Sequence, residues 1–264
     1  MKRIFFLSDF GYRDYYVSAV KAVIISIASN VEVIDITHEV EPFNTKQGAF
    51  ILYQLTPYIP NSSIVLAVVD PGVGTNRRAI VVKTRRLLFV GPDNGLLYPA
   101  CSRDGIVEIR EIENTSIMLP RSGTFDARDV FAPVAAHLAK GFEIERIGKR
   151  IDKIVELNLA KASFSESYVL AEALHVDRFG NIVTNIGIRE FERWKRVNEK
   201  YTVKVKEREY EAHFVSSFQD IREGSLGLIP GSSGFIEISV KEGSASNLTG
   251  ISAGTEFSVL RLKT

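Results

Sequence analysis

Residues 68–78 read VVDPGVGTNRR, and this stretch decides how the first part of the chain folds. The apolar, mostly β-branched run at residues 64–69 predicts a buried strand that ends at Asp70. The Pro and Gly residues that follow predict a tight loop whose backbone can approach a ligand closely. Arg77 lies seven residues beyond Asp70, so the loop can fold back and pair the two side chains. Ligands of open α/β sheets bind at the carboxyl ends of strands, so this loop is either a functional site or an ordinary turn with a surface ion pair.

Strands and helices alternate on both sides of this loop. Apolar runs predict further strands at residues 3–7, 31–36, 79–83, 87–90 and 106–112. Helical spacing predicts one helix capped by Asp14 and two others over residues 45–58 and 129–140. This alternation predicts a largely parallel sheet covered by helices.

The pattern changes near residue 160. Short alternating segments separated by turns occur at residues 168–175, 201–205, 209–214, 234–240 and 256–262. They predict an antiparallel β-domain. We therefore expect an α/β fold, with an N-terminal α/β domain over residues 1–160 and a smaller C-terminal antiparallel β-domain over residues 161–264.

Composition limits the classes of function. With 45% hydrophobic and 25% charged residues and a net charge of +1, the chain has no global field that would attract nucleic acid or an anionic membrane. Its single Cys, Cys101, excludes intramolecular disulfides and Cys-rich zinc sites, and we expect a buried thiol. No dinucleotide or phosphate-loop fingerprint is present. The first apolar run is too short for a signal peptide, so we expect a cytoplasmic protein with no metal, no cofactor, and neither nucleic acid nor membrane as partner.

Seven motifs follow one another along nearly the whole chain. They are LSDFGYRD at residues 7–14, ITHEV at 36–40, the loop at 68–78, GPDNG at 91–95, RDVFAP at 128–133, HVDRFGN at 175–181 and SSGF at 232–235. In this order the set resembles the adenosine-forming S-adenosylmethionine hydrolases (SAM hydroxide adenosyltransferases), which are relatives of the fluorinases and chlorinases. No single motif is decisive, but the ordered set is highly specific.

The resemblance implies hydrolysis of S-adenosyl-L-methionine to adenosine and L-methionine by attack of water at the ribose C5′. Sulfonium leaves without help from an acid, so the site must place the water in line with the C–S bond and remove its proton. Positioning can contribute about 7–11 kcal/mol, and a general base about 10²–10⁴-fold. Asp70 matches the residue that orients and deprotonates the water, and Arg77 would hold Asp70 fixed and ionised.

One departure from the family lies at the chemistry. The family's hydrolases carry TFHGRD, whose His completes an Asp–Arg–His set around the water, whereas residues 124–129 here read TFDARD. Asp126 either shares the attacking water with Asp70, so that one carboxylate stays protonated, or turns toward Arg128 and has no catalytic role. On the sequence alone Asp126 is a weaker substitute for His, and Asp126→His should raise turnover about tenfold.

The resemblance also implies a set of substrate-binding residues. Asp9 would accept both ribose hydroxyls, and Phe43 would pack near the ribose unless it is a buried apolar wall. Other matches are Tyr16 and Phe125, then Asp177, Phe179 and Asn181 near the methionine amine and the adenine, and Ser232 and Ser233 near the methionine carboxylate. His38 and His137 are expected to be structural.

The resemblance further implies a homotrimer, with each ligand held between the N-domain of one subunit and the C-domain of the next. S-adenosylmethionine, adenosine and methionine are the implied partners. Two other functions compete with hydrolysis. One is non-catalytic binding of S-adenosylmethionine or adenosine, because the His is replaced. The other is a S-adenosylmethionine-dependent halogenase, which is disfavoured because an anionic Asp70 would repel a halide.

Overall fold

The computed structural model describes residues 2–159, 161–196 and 200–262. The chain divides into two compact units, Met1–Asn158 and Leu159–Thr264. The first is a mixed α/β unit around a mostly parallel sheet, and the second is built on a barrel-like, largely antiparallel sheet. The predicted fold class is therefore confirmed at this level. Within the described ranges, no helix has the length and apolar character needed to cross a bilayer.

The first unit contains a six-stranded sheet in the order β2-β1-β3-β5-β4-β6. Its strands are β1 Lys2–Ser8, β2 Val31–Thr37, β3 Ile64–Val68, β4 Ala79–Thr84, β5 Leu88–Pro92 and β6 Ile106–Glu111. The first four in spatial order are parallel, whereas β4 runs antiparallel to both of its neighbours. Ser8 lies opposite Val68, so Asp9 and Asp70 both lie where the sheet ends. This register brings the first and third motifs to one edge.

Helices cover both faces of this sheet. They are α1 Tyr16–Ile27, α2 Thr45–Leu55, α3 Tyr98–Asp104 and α4 Ala132–Ala139. Alternate residues of β3 contribute to two separate cores, one with α1 and α4 and the other with α2 and α3. Every residue of β3 is buried. Because each buried aliphatic side chain contributes about 1.5–3 kcal/mol, this central strand is a fixed base for the loop that follows it.

Two predicted helix starts are wrong. Helix α1 begins at Tyr16 after Tyr15, and Asp14 does not cap it. The helix expected over residues 129–140 begins instead with a wide π-turn, Ala127–Phe131, before α4. Pro133 has no N–H to donate to the carbonyl of Asp129, and the backbone N–H of Leu119 donates to that carbonyl at 2.9 Å. Apolar spacing cannot reveal this exchange of partners.

The helix predicted over residues 45–58 is shorter than expected. Helix α2 ends at Leu55, and a 3₁₀ turn over Thr56–Tyr58 follows it. Cys101 lies on α3 and is buried in the core, as expected for a structural thiol.

The second unit is a closed β-sheet with two short helices. Its strands are β7 Ser163–Phe164, β8 Tyr168–Val176, β9 Ile182–Gly187, β10 Tyr201–Val205, β11 Arg208–Phe214, β12 Leu226–Pro230, β13 Phe235–Ser239 and β14 Glu256–Arg261, and its helices are α5 Ile188–Trp194 and α6 Ala245–Thr249. Pairing of β14 with β8 closes the sheet, and the two-residue strand β7 pairs with β8 alone. One pair, β11–β12, is parallel, so the expectation of a wholly antiparallel sheet needs this correction.

The sequence does not predict three of these strands. Strand β9 carries buried Thr184 and Asn185 among its apolar residues, so it shows neither alternation nor a pure apolar run. The hydroxyl of Thr184 donates to the Ile236 carbonyl at 2.7 Å, which satisfies it inside the sheet. Strand β12 includes Gly227 and Pro230, which usually indicate turns. Strand β7 has only two residues.

Candidate active site

A cavity of about 260 Å³ lies in the first unit where β1 and β3 end. Its lining residues are Asp9, Phe10, Tyr16, Pro42, Phe43, Val68, Asp70, Val73, Thr124, Phe125, Asp126 and Ala127. All the site residues predicted in the first unit except Arg77 are in this set. Arg77 does not line the cavity but holds the Asp70 carboxylate.

Asp70 and Arg77 form the pair that their spacing predicts. Arg77 Nε donates to both carboxylate oxygens of Asp70, at 3.1 and 2.9 Å, and Nη2 donates to Oδ2 at 2.5 Å. The side chains of both residues are more than nine-tenths buried. The guanidinium also lies 5.2 Å from the ring centre of Phe131. A planar, charge-assisted fork of this kind fixes the orientation of the carboxylate as well as its charge.

A glycine allows the Asp70 loop to approach the segment that carries Asp126. Gly74 has φ of +79°, and a Cβ at this position would lie 2.5 Å from the carbonyl oxygen of Gly123. Any side chain here would therefore separate the two segments or strain the loop. The two backbone segments thus pack closely, and Arg77 of the first contacts both Asp70 and Asp126.

Asp126 is 1% exposed and binds two arginines. Arg77 Nη2 donates to its Oδ2 at 2.6 Å, and Arg121 donates through Nη2 at 2.7 Å and through Nε to Oδ1 at 3.1 Å. The expectation that Asp126 turns toward Arg128 is wrong, because Arg128 Nε donates to Asp129 instead, at 2.7 Å. Arg121 was not among the predicted site residues, and its only signal in the sequence is a basic residue just before the TFDARD motif.

Asp70, Arg77, Asp126 and Arg121 form a charged cluster in which the negative and positive charges are equal in number. Burial disfavours the charged guanidinium of Arg77, but its bonds and attraction to Asp70 and then Asp126 outweigh that cost and raise its pKa. Arg121 supplies a second cation, so two carboxylates face two guanidinium groups. The cluster therefore carries no uncompensated charge.

Asp9 lies in a less favourable environment for its charge. Burial raises the pKa of Asp9, and the negative charge of Asp70 adds to the shift, while backbone hydrogen bonds led by that of Phe43 oppose it. The Phe43 N–H donates to Asp9 Oδ2 at 2.9 Å. Phe43 has φ of +67°, an uncommon conformation for a bulky residue. Phe43 is 71% exposed, so it is not an apolar wall buried within this chain.

Aromatic side chains form one wall of the cavity. The ring of Phe125 lies 5.8 Å from Phe10 and 5.2 Å from Tyr16, both in edge-to-face geometry. Phe10 and Tyr16 are themselves 6.1 Å apart. These rings give an apolar wall to a cavity whose lining also includes Asp9, Asp70 and Asp126. Phe10 belongs to the first motif but was not among the predicted site residues.

His38 contacts residues at and just beyond the end of β1. It is fully buried, its Nδ1 lies 2.7 Å from Ser8 Oγ, and its carbonyl accepts from Gly11 N at 2.7 Å. Nε2 lies 3.1 Å from Asp35 Oδ1, although the two atoms are poorly aligned for a hydrogen bond. Burial lowers the pKa of His38, and Asp35 opposes this shift. The expected structural role fits these contacts.

His137 contacts Phe142 in edge-to-face geometry and does not line the cavity.

The second unit carries the remaining predicted residues. Asp177 Oδ1 accepts from the N–H groups of Phe179 and Asn181, each at 2.9 Å, and Asn181 Nδ2 donates to Oδ2 at 2.9 Å. Phe179 and Asn181 line a cavity of about 640 Å³ together with Phe218, Gln219 and residues 240–244. Phe179 is 76% exposed. These three predicted residues therefore form one structured turn beside a cavity.

Ser232 and Ser233 do not line that cavity. They lie in the turn between β12 and β13, where Gly231 packs against Glu237. Burial raises the pKa of Glu237, and the charge of Asp177 adds to the shift. Glu237 thus links this turn electrostatically to Asp177, a relationship that the sequence did not indicate. Across the part of the chain that the structure describes, no three His, Cys, Asp or Glu side chains are grouped to hold a metal ion.

Comparison with known proteins agrees with this arrangement. The SAM hydroxide adenosyltransferase N-terminal domain matches residues 4–148, and the corresponding C-terminal domain matches residues 171–258. The chain is 36% identical to (R)-S-adenosyl-L-methionine hydrolase of Thermus thermophilus, covering 98% of this chain and 100% of that protein. It is 28% identical to a fluorinase of Actinopolyspora mzabensis, covering 69% of this chain and 71% of the fluorinase.

A solved structure is similar over the same length. The crystal structure of an uncharacterized conserved protein from Thermotoga maritima shares a TM-score of 0.89 and 42% sequence identity with this chain, covering 98% of it and 100% of the Thermotoga chain. Both domain matches lie in the expected order and together cover most of the sequence. The chain therefore belongs to the SAM hydroxide adenosyltransferase family.

Proposed function

We propose that this protein hydrolyses S-adenosyl-L-methionine to adenosine and L-methionine. The observation that carries the proposal is the Asp70 carboxylate, which lines the cavity while Arg77 holds both of its oxygens. Full-length relatives that bear the name (R)-S-adenosyl-L-methionine hydrolase support the same reaction.

The reaction needs one base and no acid. Water attacks the ribose C5′ as the C5′–S bond breaks, and the bonding electrons neutralise the sulfonium to give the thioether of methionine. Asp70 accepts the proton that the water loses. Because Arg77 fixes the carboxylate before substrate binds, the base requires little reorganisation, and positioned bases of this kind contribute about 10²–10⁴-fold.

The other cavity-lining residues are proposed to bind the ribose. Asp9 accepts from the ribose hydroxyls when ionised, and Phe43, Tyr16 and Phe125 offer apolar contacts near the reacting carbon. An anionic Asp70 disfavours a halide as nucleophile, because a buried anion beside a carboxylate is costly. Hydrolysis is thus favoured over halogenation.

We further propose that Asp177, Phe179, Asn181, Ser232 and Ser233 bind the adenine and the methionine part of the substrate. In this proposal the two units act as separate domains that meet near residue 160, and the protein is a homotrimer with each substrate between neighbouring subunits. The predicted residues are divided between the two units, and each unit has a cavity lined by some of them, which supports this arrangement.

A direct assay tests the function. Purified protein is incubated with S-adenosyl-L-methionine, and adenosine and methionine are followed by chromatography. Equal amounts of both products are expected. Tight binding of S-adenosyl-L-methionine without products would contradict hydrolysis and favour a binding protein.

Complementation tests the shared site. Asp70→Asn and Asp177→Ala are each expected to be inactive alone. When the two variants are co-expressed and purified as mixed trimers, some sites combine an intact Asp70 with an intact Asp177, and activity returns. A monomeric mass in solution together with full activity of the wild type would overturn the trimer.

A further inference from the structure

Four side chains form a line of alternating charge that begins at the cavity and ends at the surface. Asp70 binds Arg77, Arg77 binds Asp126, and Asp126 binds Arg121. The first three are almost completely buried, whereas the side chain of Arg121 is 51% exposed. Arg121 does not line the cavity. Arg121 contacts the cavity lining through Asp126, which Arg77 connects to Asp70.

Asp126 needs a second cation because Arg77 is shared. The same nitrogen, Nη2 of Arg77, contacts Oδ2 of both Asp70 and Asp126. Without Arg121, one guanidinium would face two buried carboxylates, and the group of side chains would change from neutral to a net charge of −1. A buried, undercompensated carboxylate is strongly unfavourable, so Asp126 would compete with Asp70 for Arg77.

The backbone beside Arg121 is fixed although the side chain reaches the solvent. Both the N–H and the hydroxyl of Ser122 donate to the buried carboxylate of Asp129, at 2.8 and 2.7 Å. The backbone of Gly123 packs against Gly74 of the Asp70 loop. The contacts of Ser122 and Gly123 thus fix the backbone next to Arg121. The guanidinium of Arg121 binds Asp126 through two nitrogens, in the fork geometry of a bidentate pair.

We propose that Arg121 is a positioning residue for the hydrolysis proposed above. It neutralises and orients Asp126, so that Arg77 remains available to orient Asp70. The inference rests on the proposed function, since it concerns the same reaction.

The position of Arg121 predicts a specific kinetic signature. Arg121→Gln should lower kcat about tenfold while KM for S-adenosyl-L-methionine changes less than about twofold, because Arg121 is not in the cavity. Removal of one positive charge leaves an uncompensated negative charge beside the carboxylates of the cavity, Asp9 among them, so the acid limb of the kcat profile should move to higher pH. Arg121→Lys keeps the charge but loses the fork, and it should restore the acid limb and part of kcat.

A matched control separates this effect from loss of stability. Arg86 also binds a buried carboxylate, Asp104, from a partly exposed position, but neither residue lines the candidate active site. Arg86→Gln should therefore lower the melting temperature without changing kcat or its acid limb. If Arg86→Gln shifts kcat and its pH profile as Arg121→Gln does, the effect is general and the positioning role is wrong.

A double-mutant cycle gives the decisive outcome. If Arg121 acts through Asp126, Arg121→Gln should cause no further loss of kcat in the Asp126→Asn background, where residue 126 has no charge to balance and Arg121 is a surplus cation. An equal loss in both backgrounds would overturn the proposal, as would an unchanged kcat and pH profile for Arg121→Gln. Turnover by the wild type with an unaffected Arg121→Gln variant contradicts the positioning role alone, whereas a wild type without turnover contradicts the proposed function and this role with it.

Discussion

Asp70 and Asp126 accept hydrogen bonds from the same nitrogen, Nη2 of Arg77, at 2.5 and 2.6 Å. One carboxylate belongs to the loop after β3 and the other lies just before the π-turn that leads to α4. A change at either carboxylate therefore alters the partner of the other. This sharing makes the cluster a single unit rather than a base with an accessory residue.

Asp70→Asn should lower turnover by at least about 10²-fold, because Asn keeps the shape of the side chain but cannot take the proton. Binding of S-adenosyl-L-methionine, measured by calorimetry, should change little. The matched control is Asp104→Asn, which removes a carboxylate from another Asp–Arg pair that does not line this cavity. An unchanged rate for Asp70→Asn would show that the water is activated elsewhere.

Asp126→His alone should lower turnover, contrary to the increase that the sequence predicts. The imidazole would lie beside both Arg77 and Arg121 and would bring no negative charge to either. The double variant Asp126→His, Arg121→Ser removes the surplus cation and should recover at least part of the loss. Steady-state kinetics of the wild type, the single variant and the double variant test this. A single variant faster than the wild type would instead support the prediction from sequence that Asp126 is a weaker substitute for His.

Much of the site follows from local sequence, and the rest depends on contacts between distant segments. The pairing of Asp70 with Arg77 was predictable because a single Gly-rich loop connects them. The role of Arg121 was not, since it depends on how residues 121–126 pack against that loop. Similarly, the π-turn before α4 arises from Pro133 and from a backbone donor at Leu119, which apolar spacing cannot detect. The exposure of Phe43 follows from its positive φ and its bond to Asp9, and neither is visible in composition.

Gly74→Ala should destabilise the first unit by about 1 kcal/mol or more beyond Gly141→Ala. Both glycines have positive φ, so both variants carry the strain of a left-handed residue, about 1–2 kcal/mol. Only Gly74 would also bring a Cβ to 2.5 Å from a backbone oxygen, whereas Gly141 has open space. Urea denaturation measures the difference. Equal stability of the two variants would show that the close approach to Gly123 is not required.

The free energy of unfolding should decrease as the pH falls below about 6.5, in part because of His38. Burial lowers the pKa of folded His38 from its ordinary value of 6.5, so the unfolded state binds a proton that the folded state does not. The stabilisation is complete above 6.5 and is lost as the pH falls toward the folded pKa. Urea denaturation at pH 7.5 and 5.5 should show a smaller difference for His38→Gln than for the wild type. An identical pH dependence in the variant would show that His38 does not contribute.

The most direct test of the central claim is hydrolysis of S-adenosyl-L-methionine in water enriched in oxygen-18, followed by mass spectrometry of both products. Attack of water at C5′ places one labelled oxygen in the 5′-hydroxyl of adenosine and none in methionine. Labelled adenosine that forms with the wild type and is almost absent with Asp70→Asn is the predicted result. Unlabelled adenosine, label in methionine, or equal labelling rates in both proteins would contradict the account.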